Sequence, residues 1–345
     1  MRSLVAIVTA LGLAASAPPL LPRAFQAANL LLHEDDPVRV AEFQLRSKTA
    51  SDYENGIRSA LAKPDADLAA SLRDLAGIEG VMLSPTLLDE VKAAEKAAQD
   101  ATIREAWEGF LSGQAPTEPA LAGAVAADLT GFGDVRDLYR QGKAYAAGET
   151  VDRITVALAA VGVGMTAVTA FSLVAALPGK AGVSTLKAAH RAGRISPALT
   201  RHMSGLAREA VDPAALQAFS RSLRAFDMSG IRTAARSILR PGPAASIRAL
   251  GDDVSTLGTR AGYRGTLDVL AHADDAADVA RKARLSERYG HATRGALTML
   301  AHGAMTLSSV LVAVLGWLSG ALVWVLALLL FLLRVSRALF RAAQL

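Results

Sequence analysis

The sequence predicts an all-α fold for a membrane protein, and three observations carry that expectation. From Gly295 to Leu333 the chain runs 39 residues without Asp, Glu, Lys or Arg. A hydrocarbon core about 30 Å thick needs only about 20 apolar residues of helix, and a soluble helix of that length keeps a polar stripe that this segment lacks. The composition is 52% apolar with only 5% aromatic residues and is rich in Ala and Leu, a profile for helices rather than strands. The charges are segregated: residues 23–152 hold 13 Lys/Arg against 22 Asp/Glu, and residues 179–302 hold 19 against 10. The chain has no cysteine, which excludes disulfides, thiolate zinc sites and a Cys nucleophile.

Residues 1–22 read as a signal peptide or N-terminal anchor. Arg2 precedes the apolar stretch Leu4–Leu13 and the small residues Ala14-Ala-Ser-Ala17. A cut after Ala17 meets Pro18, and a cut after Ala14 is the alternative. Cleaved or kept, the segment directs export of the chain downstream of it.

Residues 35–112 form an acidic helical domain. Ser51-Asp-Tyr-Glu54 fits a capping box opening a helix over Tyr53–Lys63, with Tyr53, Ile57, Ala60 and Leu61 on one face. Asp65 caps a second helix that turns Leu68, Leu72 and Leu75 inward. Ser84-Pro85 starts a third, Pro being suited to the first helical position. It ends near Gln99 and resumes at Thr102–Leu111 after a short break, before the Gly/Pro-rich linker Ser112–Pro119.

Residues 120–200 are Gly/Ala-rich. A helix starts at Asp134, which caps it, while Arg136, Asp137 and Arg140 make local pairs. Ile154–Leu177 gives 24 uncharged residues. This candidate membrane segment, 154–177, is softened by Gly162 and Gly164, and a buried hairpin in a helical bundle is its alternative. Residues 201–294 are basic and amphipathic. Lys187, Arg191, Arg194, Arg201 and Arg208, and then Arg232, Arg236 and Arg240, recur at helical spacings, which suits either the headgroup plane or a solvated face.

Residues 296–345 are the C-terminal transmembrane segment with an Arg tail. One long tilted helix is favoured over a hairpin turning at Gly316–Gly320. Leu311, Trp317, Trp324 and Phe331 are expected in contact with lipid, and Arg334 and Arg337 with anionic headgroups. Gly316 and Gly320 suit a close helix contact that would support a homo-oligomer.

Gly133-Asp-Val-Arg-Asp-Leu138, the Gly-containing apolar segment, and Gly182-Val-Ser-Thr-Leu-Lys-Ala-Ala-His-Arg-Ala-Gly-Arg-Ile-Ser196 resemble a group of uncharacterised proteobacterial membrane proteins. With the helical stretch Asp52–Ala76, the likeness covers roughly residues 36–200. A looser likeness is to the apolar segments of bacterial polymorphic toxin precursors, from which this chain departs because no nuclease- or protease-like domain comes after them. The resemblance implies a bacterial membrane location and no known chemistry.

Charge retention on the cytoplasmic side gives an inner-membrane protein with the acidic part periplasmic and the basic part inside, separated by a crossing at 154–177. If 154–177 is buried, acidic and basic parts share the exported side and the Arg tail lies inside.

Candidate chemistry is sparse. Asp268, His272 and Asp275 fall on one helical face near Asp274 and Asp278, a spacing compatible with a divalent metal, though an acidic helix flanked by arginines is commoner. His190, His202, His291 and His302 match no metalloprotease pattern. Pro178-Gly-Lys180 lacks the upstream Gly of a phosphate loop, Val174 standing in its place. No cofactor, catalytic residue or nucleic-acid module is read. The expectation is a non-enzymatic envelope protein acting as an interaction scaffold for an unknown envelope protein, with a pore-forming or toxin-like membrane-active protein as the alternative.

Overall fold

The computed structural model describes residues 2–32, 36–112, 132–169, 177–301 and 307–343, and among these every regular element is helical. The expected helix break at 128–131, the linker at 113–119, residues 170–176 of the apolar segment and His302 lie outside the described residues. Contacts divide the chain into two units, residues 49–302 and the two ends 1–48 with 303–345.

The unit 49–302 begins with α3 (Ala50–Ala62), α4 (Ala66–Ile78) and α5 (Pro85–Ser112). Thr49 rather than Ser51 caps α3, in a box with Asp52. The shorter Asp carboxylate closes back on the Thr49 N–H at 2.7 Å. Glu54 is drawn away to Arg58 at 3.0 Å and to the Ser84 N–H at 3.3 Å. Asp65 caps α4 as expected, accepting from Leu68 N at 3.1 Å. Ile57, Leu72, Leu87 and Val91 form the core of this helical trio, with Leu61 and Leu68 partly buried against it. α5 runs without the break expected near residue 100.

Among the described residues nine helices and a short 3-10 turn lead on to a last helix and complete the unit: α6 (Phe132–Ala146), α7 (Arg153–Thr169), α8 (Leu177–Arg191), α9 (Pro197–Ala210), α10 (Pro213–Arg224), α11 (Met228–Ser237), α12 (Pro241–Arg260), α13 (Gly262–His272), α14 (Ala276–Tyr289), the turn Gly290–Ala292 and α15 (Thr293–Met299). α7 is the axis. All eight residues from Ile154 to Val161 are buried, so every face of this stretch of the helix is covered, by α6, α8, α9 and α12 among others. A helix apolar on all sides is buried in lipid or in protein, and here the jacket is protein. Of the candidate membrane segment 154–177, the described part belongs to this helix of 17 residues, packed as in the buried alternative over Ile154–Val161, and a new helix starts at Leu177.

Glycine permits the tightest contacts of the jacket. A Cβ at Gly182 on α8 would overlap the Gly251 carbonyl oxygen of α12, so these backbones touch. On α7 a Cβ at Gly162 would overlap the Asp134 carboxylate, whereas Gly164 has no described atom within 4 Å.

The acidic and basic parts lie in this one unit. Arg294, 15% exposed, bonds Asp65 at 2.6 and 2.7 Å and Asp67 at 3.1 Å. Ser71 donates to the His291 carbonyl at 2.7 Å and accepts from Gly295 N at 2.8 Å. A Cβ at Gly295 would come within 2.8 Å of the Ser71 backbone, so α4 and α15 also meet closely. Residues 49–302 hold 29 basic and 28 acidic side chains, so the opposed charges of the two halves nearly cancel.

The other unit consists of α1 (Arg2–Leu32), α2 (Pro37–Leu45) and α16 (Leu307–Ala343). α16 passes through Gly316 and Gly320 as one helix, so the hairpin alternative for 296–335 is not formed.

Two glycines in one helix give a test with opposite signs. Gly162→Ala should lower the stability of the 49–302 unit by about 1–3 kcal/mol, since it overpacks a filled site. Gly164→Ala should raise it by about 0.5–1 kcal/mol through backbone entropy. Denaturant unfolding followed by circular dichroism checks both.

Candidate functional site

The polar groups of the body collect where the two motif segments meet. Asp134 and Asp137 stand one turn apart on α6, and Lys187 and Arg191 one turn apart on α8. Lys187 has no exposed surface, and its ammonium pairs with Asp134 and, at 3.2 Å, with Asp137. Arg191 reaches Asp137 at 2.5 Å. The expected local roles are thus displaced: Asp134 is buried in the first turn of α6, and Asp137 pairs across to another helix. The nearest Arg136 nitrogen stays 3.8 Å from Asp137. Of the basic stripe starting at Lys187, Lys187 is buried and Arg191 reaches back to Asp137, while Arg194, Arg201 and Arg208 are exposed.

A second cluster joins α6, α7 and α8. Asp152 accepts from Ile154 N and Thr155 N at 3.1 and 3.2 Å and from the Thr155 hydroxyl at 2.6 Å. His190 Nε2 lies 3.1 Å from the same carboxylate, and Gln141 accepts the Asp152 N–H at 2.9 Å. Burial pushes the Asp152 carboxyl up, but the bonds from His190 and Thr155 outweigh it and hold the group well below the usual carboxylate range.

The metal candidates find cations instead. Asp278, buried, pairs with Lys282 at 2.7 Å and Arg281 at 3.2 Å. Asp275 caps α14 through Asp278 N at 2.8 Å, and Asp268 lies 3.7 Å from Arg294. His272 Nδ1 sits 2.8 Å from the Asp268 carbonyl. Among the described residues no three His, Asp or Glu side chains group to hold a metal.

The membrane-facing candidates lie on α16. Val310–Arg337 is 28 residues with a mean hydropathy of 2.4, long and apolar enough to cross a membrane. Leu311, Arg334 and Arg337 are exposed; Trp317, Trp324 and Phe331 are half-buried. The covered positions include Val310, Val314, Trp317, Ala321, Trp324, Leu328, Phe331 and Val335, a seam with alternating steps of four and three, with Leu318 and Gly320 flanking it. On α1, Ala10, Leu13, Ala17, Leu20, Ala24 and Ala27 obey the same rule. The two seams meet: Trp324 Nε1 donates to the Leu13 carbonyl at 3.2 Å and to the Ser16 hydroxyl at 3.1 Å. A Cβ at Gly320 would sit 3.2 Å from Leu20. Gly320 therefore serves a contact within the chain, while Gly316 has nothing within 4 Å.

These contacts make α1 and α16 antiparallel. Their register sets Leu13 and Ser16 against Trp324 and Leu20 against Gly320. α1 bends by 47° between its halves Ile7–Pro18 and Leu20–Leu32. Pro18 and Pro19 explain the bend, since each lacks an N–H for the helix ladder. Trp324 donates just before it. The seam could have been found in the sequence from the 3–4 spacing of alanines in residues 10–27 and of aromatics in 317–331. The Lys187 cluster could have been found from carboxylates three apart and cations four apart on either side of an apolar helix.

The chain matches no protein-family model, no curated protein and no solved structure.

Lys187→Met should cost the body about 3–5 kcal/mol, because two buried carboxylates lose their ammonium; Arg201→Met, on the surface, should stay within about 0.5 kcal/mol. The Asp152 carboxyl is depressed on folding, so its stabilisation is full above the ordinary carboxylate range and is lost as pH falls through it. Thermal unfolding from about pH 5 to pH 2 should therefore show a steeper loss in the natural chain than in Asp152→Asn.

Proposed function

We propose that this chain is a non-enzymatic integral protein of the bacterial inner membrane. In this reading α1 and α16 cross the bilayer as an antiparallel pair and hold residues 49–302 on the periplasmic side as a scaffold for an envelope partner. The observation that carries the reading is the register of the pair. It brings the Arg2 end of α1 level with the segment of α16 that bears Arg334 and Arg337, so one end of the pair collects the basic residues that cytoplasmic retention favours. Both chain ends are then inside, and the body extends outward from α1 and returns through α16. Support also comes from Arg294 with Asp65 and Asp67: a bilayer cannot run between segments packed into one unit. This favours the shared-side topology over a membrane crossing at α7.

The pore-forming alternative draws on one observation, the apolar α7 held inside a jacket of amphipathic helices. Release of dye from anionic vesicles on adding the protein would favour it.

Single cysteines at Ser51, Arg201 and Arg337 test the topology in a chain that has none of its own. In cells with a permeabilised outer membrane, an impermeant maleimide should label Ser51→Cys and Arg201→Cys equally and Arg337→Cys only after lysis. Labelling of Ser51→Cys without Arg201→Cys would refute the shared-side topology. In the same membranes, Leu13→Cys with Trp324→Cys should oxidise to an internal disulfide, which a chain cut after Ala14 or Ala17 could not form.

A further inference from the structure

Four helices of the body close with the same pair of backbone hydrogen bonds. After α4, α6 and α8 the residue in the left-handed conformation is Gly80, Gly148 or Gly193, each donating to the carbonyl three residues back, with the next N–H donating five residues back. After α10 the same two bonds form, Phe226 N to Leu223 O at 3.2 Å and Asp227 N to Ser222 O at 3.0 Å. Here the left-handed residue is Phe226, at φ +54°. This position ordinarily takes glycine because a Cβ meets the backbone there. An aromatic is an uncommon occupant; Pro64 and Ala301 are the other non-glycine residues at positive φ among the described residues, and of the three Phe226 alone carries a large exposed side chain.

Packing does not account for the phenylalanine, since its side chain is 87% exposed. Its surroundings are basic. Arg221 and Arg224 on α10 are exposed, and among the described residues neither has a carboxylate within 4 Å. Arg58, Arg73, Arg191, Arg281 and Arg294 are paired elsewhere in the body, whereas Arg194, Arg201, Arg208 and Arg248 are exposed without a carboxylate within 4 Å among the described residues, so it is the ring beside two such cations that sets this turn apart. The neighbouring carboxylate, Asp227, is committed to the start of α11, accepting from Ser229 N at 3.1 Å and Gly230 N at 3.0 Å. An exposed aromatic ring beside uncompensated guanidiniums fits the boundary of an anionic bilayer, with the ring among the upper acyl segments and the cations on phosphates.

We propose that the α10–α11 turn is a lipid-docking tip, with Phe226 entering an anionic bilayer surface and Arg221 and Arg224 holding headgroup phosphates. The proposal rests on the reading that the body is held beside a membrane, and it deepens that reading by naming the surface that touches lipid.

The test uses the full chain with an environment-sensitive fluorophore on Ala225→Cys, reconstituted in vesicles of equal phosphatidylglycerol and phosphatidylcholine that carry a spin-labelled lipid quencher. Quenching at residue 225 should be several-fold stronger than at a fluorophore on Ser51→Cys. It should weaken in phosphatidylcholine alone and in Arg221→Gln/Arg224→Gln, and disappear in Phe226→Ser and Phe226→Gly. Phe226→Gly should also raise the melting temperature by about 2–4 °C, because it removes the strain while abolishing docking. Equal quenching at 51 and 225, or quenching indifferent to Phe226 and to lipid charge, would overturn the proposal. So would protection of residue 225 by a bound protein instead of lipid. Carbonate extraction reads the anchor separately: a chain stripped from the vesicles refutes the α1–α16 anchor, while quenching measured before extraction still decides the tip.

Discussion

Lys187 carries a cation to a point with no exposed surface, and the fold around it must answer that charge. An isolated ammonium in a protein interior costs several kcal/mol, which is offset only by close counter-charges with good geometry. Asp134 and Asp137 supply them from α6, and Arg191 shares the second carboxylate from the surface side. The pairing ties α6 to α8 across fifty residues of chain and fixes the turn at which each helix meets α7. Gly162 is part of the same constraint, since only a residue without a side chain leaves room on α7 for the Asp134 carboxylate. The glycine that softens the apolar helix is therefore the seat of the charge cluster that makes it a core helix. Apolar helix, glycine and ion cluster form one device.

The same logic operates at the scale of the whole body. Its acidic first part and basic second part are electrostatic complements, and their 28 and 29 charges nearly cancel. Arg294 shows the local form of this balance, a nearly buried guanidinium shared by Asp65 and Asp67. Burial pushes the Asp65 carboxyl up, but the bonds from Arg294 and from Leu68 N hold it below the usual range, so this junction is intact near neutral pH. Charge segregation along a sequence can arise from a membrane between two segments or from attraction between them. The contacts of Arg294, Ser71 and Gly295 select attraction here.

Legibility in the sequence depends on how local each signal is. The all-helical class, the Asp65 cap, the Pro85 start and the unbroken C-terminal helix rest on residues within a turn or two of one another, and the structure contains them all. The α3 cap is displaced to Thr49 because two overlapping boxes, Thr49–Asp52 and Ser51–Glu54, compete, and Glu54 is taken by the Ser84 N–H thirty residues away. α7 could not be assigned from hydropathy, because the transfer of an apolar helix into lipid and into a protein core use the same residues. Its length and the charges that cap its surroundings decide between them. The Lys187 cluster is hidden for a related reason: each of its charges reads as an ordinary surface residue until α6 and α8 are known to be neighbours.

The N-terminal helix is the hardest segment to read by composition, since a cleaved signal and a retained anchor share charge, apolar length and small residues. Packing gives the segment partners within the chain. Ala10, Ala17 and Ala24 recur at intervals of seven on α1, as Trp317, Trp324 and Phe331 do on α16. The Trp324 indole N–H needs a hydrogen-bond partner. Leu13 and Ser16 provide that partner just before the proline bend. Small residues on one helix and large ones on the other allow close packing where no hydrophobic drive exists between helices, since lipid tails are as apolar as leucine. The contacts of Leu13 and Ser16 and the bend at Pro18 and Pro19 together set how α1 runs along α16.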